Sequence, residues 1–367
     1  MVGCGLVAQV MHLPHLRELD DRFEVRALCD LSPAALAHAA RTFPDAKLVQ
    51  DWHELLAEEL NAVLVLTHGT HEPIAVAAAE AGLHVFVEKP MALSVDEGLA
   101  MVSAAEEAGV CLMVGYMKRY DPAFVRLAEL LPDRIRLARV TTLESPLGPY
   151  VAHHSLVLTD DVDPGRLAEV TEDDTRRVRA AIGTDDEVLA RTYRSVLLDS
   201  MVHELNAVRA LLGEPSELRF ADVWGAPDGV TATFAFDGPE AVFAWVDLPG
   251  IARYQGELAF YAPEARATLS FPSPFLRNAP TRLVLEGGVA RTAEAWREER
   301  DVSYHEAFKL ELVELHEAIT EGRPPRTDGR DGLRDLALCQ SIARACLDGR
   351  PVPFPSDPEL HATRALH

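Results

Sequence analysis

Residues 1–8 read MVGCGLVA, and Gly3-Cys4-Gly5-Leu6-Val7-Ala8 within them is a G-x-G-x-x-A run. Glycines at this spacing permit a tight turn and let a pyrophosphate approach the backbone, facing the N-terminus of the helix that follows. Alone the run is weak. It gains weight from FEVRALCD (23–30), which alternates as a strand and ends on Asp30. A carboxylate there can hold the hydroxyl pair of an adenosine ribose. Leu31 follows Asp30, with no arginine beside it to meet a 2′-phosphate. That favours NAD over NADP.

The chain beyond alternates strand and helix. Ser32-Pro33 opens a helix, with serine as cap and proline in the first turn. NAVLVLT (61–67) is a short continuous apolar run, as a strand buried on both faces requires. A helix from Glu72 to about Ala81 ends at Gly82. HVFVEK (84–89) is stopped by Pro90, Ser94-x-x-Glu97 is a capping box, and VCLMVGY (110–116) follows a helix ending near Gly109. This alternation predicts a parallel, doubly wound sheet. Only Met1 and Val2 precede Gly3, so the first strand is truncated. A stump leaves its neighbours' backbone groups unpaired, so a start upstream is expected.

The pattern changes after about residue 120. Asp121-Pro122 starts a helix, and RIRLARVTTLE (134–144) reads as a strand. An acidic helical stretch runs from about Asp163 to Gly183, with Thr171 as its cap, and a longer helix covers about 186–212. ELRFADVW, VTATFAFDG, AVFAWVDL, ELAFYAP, ATLSF and TRLVLEGG then give strands up to about Ala295. Their Gly and Pro turns imply a mostly antiparallel sheet. Helices near 304–321 and 332–347 close the chain. The fold class is α/β with two domains. Residues 1–118 form a Rossmann-type dinucleotide-binding domain on a parallel sheet. Residues 119–367 form a substrate-binding and oligomerisation domain on an open, mostly antiparallel sheet, its last helices packing back toward the first domain.

With 35 Lys plus Arg against 58 Asp plus Glu, the net charge is −23 across 367 residues. An acidic surface repels phosphates, which excludes nucleic acid or an anionic membrane as the main partner. Cys4, Cys29, Cys111, Cys339 and Cys346 form no C-x-x-C pair, so reduced thiols in a cytoplasmic protein are expected. No apolar run reaches the roughly 20 residues that cross a bilayer, and residues 1–10 lack the basic and apolar regions of a signal peptide.

Two further signals carry chemistry. Glu88-Lys89-Pro90 stands at the end of a predicted parallel strand, where open α/β sheets bind ligands. A lysine there can hydrogen-bond a hydroxyl and exchange a proton, though standing alone it reads as a surface lysine. Asp199 and His203 lie four apart in a helical pattern and share a face. A carboxylate beside an imidazole can orient a hydroxyl and move its proton, but such pairs are commonly satisfied locally.

Together these features resemble the glucose-fructose oxidoreductase, inositol dehydrogenase and rhizopine-catabolism family (Gfo/Idh/MocA). The resemblance spans nearly the whole chain. It rests on G-x-G-x-x-A at 3–8, AGLHVFVEKPMA at 81–92, VGYMKRYDPAF at 114–124, LLDSMVHELNAVRALLG at 197–213 and FKLELVELHEAITEGRPP at 308–325. It implies an NAD(P)-dependent oxidoreductase that moves hydride between nicotinamide and a carbinol or ketone carbon of a sugar, cyclitol or related substrate. By motif, Lys89, His203 and Asp199 are the expected catalytic residues. Gly3, Gly5, Leu6, Val7, Ala8, Asp30, Thr67, His71, Glu88, Lys89 and Arg119 are the expected cofactor residues. The family also contains lyases and glycosidases that use bound NAD, and non-catalytic ligand-sensing regulators. A homodimer or homotetramer is expected, with a small-molecule substrate.

The chain departs from the family in four places. The first strand is short, and the loop after Thr67 reads T-H-G-T-H, with His71 filling the usual histidine position. Met117 stands where asparagine is frequent, with Lys118 beside it. The glycine-rich run that usually precedes the Asp-x-x-x-His segment is replaced by the acidic helical stretch. Lys118, Tyr120, His153 and His154 are therefore candidate substrate contacts, with a solvated Lys118 as the plainer alternative. His153, His154, Asp160 and Asp161 lack the spacing of a metal site, so no metal is expected. Specificity is expected in loops such as 145–165 and 272–280.

Overall fold

Val2 stands at the centre of the first sheet. The computed structural model describes residues 1–158, 160–225 and 227–354. Residues 355–367 of the expected second domain, and Thr159 of the expected specificity loop, lie outside them. Strands Ala27–Cys29 (β1), Lys47–Val49 (β2), Ala62–Val65 (β3), His84–Glu88 (β4) and Leu112–Gly115 (β5) pair in parallel as β2-β1 and β3-β4-β5. Val2 bridges the gap, parallel to Cys29 on one side and to Val65 on the other.

The expectation of unpaired neighbours is corrected here. Cys29 N donates to Met1 O at 2.9 Å, Gly3 N to Cys29 O at 2.8 Å, Val2 N to Leu64 O at 2.8 Å and Leu66 N to Val2 O at 2.7 Å. Met1, Val2 and Gly3 thus pair with β1 and with the carboxyl half of β3. Val63, Val65, Val85, Phe86, Val87, Met113 and Val114 are fully buried. Burial of each such side chain contributes about 1.5–3 kcal/mol, which is why the strands read as continuous apolar runs.

The chain divides into two compact units that do not follow one break. The first comprises Met1–Met117, Ala152–Gly183 and Phe308–Leu336. The second comprises Lys118–Val151, Thr184–Ala307 and Ala337–His367. The expected boundary near 118 is one of several crossings, and helix Pro164–Ile182 belongs to the first unit. Thr171 is not that helix's cap. Its hydroxyl donates to Leu167 O inside the helix, while Asp163 caps the end by accepting from Arg166 N.

The second unit is built on Leu137–Glu144 (β6), Glu217–Trp224 (β7), Gly229–Ala235 (β8), Glu240–Asp247 (β9), Gln255–Tyr261 (β10), Ala265–Phe271 (β11), Arg282–Val289 (β12), Glu294–Asp301 (β13) and Val352–Pro353 (β14). Their order is β13-β12-β11-β10-β6-β9-β8-β7-β14. Among the described residues of this sheet, only β6 and β9 pair in parallel. The expected helix over 186–212 is one helical run with a π-helical middle. Glu187–Thr192 is α-helical, Tyr193–Met201 is π-helical and Val202–Leu212 is α-helical again. Among the described residues, no helix is long and apolar enough to cross a membrane.

Candidate functional site

In the first unit the glycine turn has the shape its sequence requires. Gly3 has φ +98°, and a Cβ there would lie 2.6 Å from Leu66 C, so the turn fits only without a side chain. A Cβ on Gly5 would meet nothing within 4 Å. Gly5 is therefore open toward a ligand, not compressed by protein. Leu6 and Val7 are half-buried and Ala8 is buried in the helical run that begins there.

Asp30 locks onto this turn. Its Oδ2 accepts from Cys4 N at 2.7 Å and its Oδ1 from Ser32 N at 2.8 Å. Those bonds fix the carboxylate while leaving it lone pairs for ribose hydroxyls. At the carboxyl end of β3, the Thr67 hydroxyl oxygen is buried with no hydrogen-bond partner in the structure. A buried polar atom of that kind calls for a partner, and a ligand at this strand end would supply one. The open Gly5, the fixed Asp30 and the orphaned Thr67 hydroxyl together fit a dinucleotide.

Glu88 and His71 are both buried. The Glu88 carboxylate turns inward, 2.7 Å from His12 Nε2, and its other oxygen accepts from Lys89 N at 3.1 Å. His71 is 1% exposed, and its Nε2 lies 2.8 Å from Thr67 O. Burial lowers its pKa and keeps the ring neutral. Both side chains brace the loop ends that carry Thr67 and Lys89. Lys89 itself is half-buried, before the cis Lys89–Pro90 bond.

Glu311 was not singled out in the sequence. It is fully buried, and neither carboxyl oxygen has a hydrogen-bond partner in the structure. Desolvation, and then the nearby Glu88 charge, raise its pKa well above the usual value. It is held as the neutral acid.

In the second unit, Asp199 lies in the π-helical stretch and is exposed, while His203 is half-buried in the first turn of Val202–Leu212. Their shared helical side follows from the continuous run. Short π-helical insertions recur at functional sites, and this one coincides with Asp199.

Lys118 is not solvated. It is 4% exposed and forms an ion pair with Glu204, a residue 1% exposed. Its Nζ also donates to the Tyr254 hydroxyl at 3.3 Å and lies 4.9 Å from the Phe271 ring centroid. The Glu204 charge holds the ammonium protonated against its desolvation, and burial pushes the Tyr254 hydroxyl up to about 12. Arg119 donates to Asn206 Oδ1 at 3.1 Å. Tyr120 is 2% exposed. Glu204 and Tyr254 carry no sequence signal beyond Glu204's position next to His203.

His153 and His154 lie in the 152–183 segment of the first unit, with ring centroids 4.1 Å apart. Among the described residues no group of three or more His, Cys, Asp or Glu is placed to hold a metal ion.

Comparison with known proteins agrees with this architecture. The Gfo/Idh/MocA sequence profile, an oxidoreductase family with an NAD-binding Rossmann fold, matches residues 1–116. A D-xylose 1-dehydrogenase (NADP(+)) from Haloferax volcanii is 33% identical over 308 residues, covering 82% of this chain and 83% of that protein. A D-apiose dehydrogenase from Paraburkholderia graminis is 28% identical over 373 residues, covering 97% and 89%. The fold is shared with the WlbA dehydrogenase of Bordetella pertussis, solved with NADH and UDP-GlcNAcA. There the TM-score is 0.70 at 20% identity, over 97% of this chain and 98% of that one. The chain belongs to the Gfo/Idh/MocA oxidoreductase family.

Proposed function

We propose that this protein is an NAD-preferring dehydrogenase acting on a carbinol, or the matching ketone, of a sugar, cyclitol or related polyhydroxylated substrate. The observation that carries this reading is the open Gly5 turn with Asp30 fixed beside it by Cys4 N and Ser32 N. Asp30 followed by Leu31 favours a ribose hydroxyl pair over a 2′-phosphate. Bound nicotinamide supplies the hydride acceptor or donor. The chain's own work is proton and position. On the second unit, His203 takes the hydroxyl proton as the carbinol is oxidised, and Asp199 orients the hydroxyl. On the first unit, Lys89 is the donor for a substrate hydroxyl and the nicotinamide ribose, its backbone amide held by Glu88.

The test is titration with NADH and NADPH followed by nicotinamide fluorescence, then a polyol and sugar screen. Micromolar NADH binding, tighter than NADPH, is expected. Lys89→Ala should lower kcat by two or more orders of magnitude with the fold retained. No binding of either dinucleotide would end this reading, and an unchanged Lys89→Ala rate would remove Lys89 from the reaction.

A further inference from the structure

Residues 152–183 lie along the carboxyl ends of the first unit's strands, where ligands bind in open α/β sheets. Gln9, one turn beyond the glycines, makes a reciprocal pair with Val157. Val157 N donates to Gln9 Oε1 at 2.9 Å, and Gln9 Nε2 donates to Val157 O at 3.1 Å and to Cys4 O at 2.9 Å. Beyond β1, Ala34 N donates to Asp161 Oδ2 at 2.9 Å. Beyond β3, Thr70 N donates to Asp174 Oδ1 at 3.3 Å, and Asp174 is 1% exposed. Beyond β4, Arg177 Nη1 donates to Glu97 Oε1 at 3.0 Å.

Helix Pro164–Ile182, about 28 Å long at 1.5 Å per residue, supplies the Asp174 and Arg177 contacts, and the stretch before it supplies those of Val157 and Asp161. Gly5 itself is exposed, and a Cβ there would meet nothing within 4 Å. The segment borders the phosphate turn without filling it. Its contacts use backbone amides, the buried Gln9 and Asp174, the part-buried Arg177 and the exposed Asp161.

At the β1 end, one short turn carries two carboxylates. Asp30 accepts from Cys4 N and Ser32 N, and Asp161 accepts from Ala34 N two residues further. Asp30 comes from the strand end, while Asp161 arrives from 127 residues along the chain. A ribose hydroxyl pair can donate to such a turn, whereas a phosphate dianion is repelled by both charges.

Resting on the dinucleotide reading above, we infer that residues 152–158 and 160–183 form an outer wall of the dinucleotide site and that Asp161 is a specificity-determining residue that disfavours a 2′-phosphate. Asp161 acts by charge. Its effect therefore weakens in salt, which a purely structural role does not predict.

The test titrates the full chain with NADH and NADPH by nicotinamide fluorescence, comparing wild type with Asp161→Asn and with Glu169→Gln, an exposed residue on helix Pro164–Ile182. One unit charge near a phosphate in a solvated setting is worth roughly fivefold. Asp161→Asn should tighten NADPH by about that factor at low salt, leave NADH within about twofold, and lose most of the difference near 1 M salt. Glu169→Gln should move neither. Hydrogen exchange supplies the second readout, with NADH slowing amides in 155–158 and 69–72. An unchanged NADPH-to-NADH ratio in Asp161→Asn overturns the specificity assignment. Exchange in 152–183 that ignores bound NADH overturns the wall. Wild type that binds neither dinucleotide defeats the cofactor reading itself, and this inference falls with it.

Discussion

At the residue scale, buried charge separates what each group does. Lys118 and Glu204 are a desolvated pair whose attraction offsets the cost of removing both from water. Lys118→Met leaves the Glu204 charge buried and uncompensated. It should cost about 3–5 kcal/mol in denaturant melts, and Lys118→Met with Glu204→Leu should recover most of that. Additive losses in the double variant would show that the two groups do not depend on each other. Such residues are the ones sequence reading misplaces. A lysine beside an arginine reads as solvated, and a glutamate such as Glu204 or Glu311 has no periodic signature that marks it as interior. Gly3 was legible because the turn restricts that position to a residue without a side chain.

Glu311 and His71 give the fold opposite pH limbs. Glu311 keeps its proton in the fold, while the unfolded chain releases it above its ordinary 4.5. The folded state then binds more protons, so this stabilisation is full below 4.5 and declines as pH rises. His71 is held neutral in the fold but protonates below 6.5 when unfolded, so its contribution is present above 6.5 and declines as pH falls. Glu311→Gln removes only the alkaline limb. Its melting temperature should exceed that of wild type by a margin that grows from about pH 5 to about pH 8. A margin that stays flat over that range contradicts a neutral Glu311.

At the element scale, caps and periodicity were readable and irregular helix was not. Ser94 accepts from Glu97 N at 3.2 Å, and Gly109 ends the same helix at φ +67°. The capping box is only half conventional. Glu97 reaches Leu93 N and the Thr70 hydroxyl, tying the helix start to the neighbouring loop. Ser94→Ala should lower stability by about 1 kcal/mol in chemical melts, and no loss would mean that Glu97 alone holds this end. The π-helical stretch Tyr193–Met201 escaped notice because its apolar spacing still suits an α-helix. Strand β13 was missed for the opposite reason. Its sequence, EAWREERD, is almost wholly exposed and charged, as suits an edge strand that must resist pairing.

At the scale of the whole molecule, the second unit's sheet carries exposed Phe220, Trp224, Val289 and Trp296. Large apolar side chains exposed on a sheet are candidate association surfaces. A homodimer or homotetramer is the expected outcome, read by light scattering, and Trp224→Glu with Trp296→Glu should shift it toward monomer. A wild-type monomer would remove association from the account. The two fold classes were legible from alternation and from strand spacing, but the assignment of 152–183 to the first unit was not. It depends on contacts such as Gln9 with Val157, which pair residues 148 apart.

The first unit draws on three separate stretches of chain. During synthesis, β5 gains its backbone partner Thr327 only after more than two hundred further residues have emerged, since Val114 N donates to Thr327 O and the Thr327 hydroxyl to Val114 O. The nascent Rossmann sheet must therefore wait with one edge unpaired while the second unit is being made. Its completion is a late event set by loop closure over long separations, and an interrupted ribosome would release a nucleotide fold without its final brace.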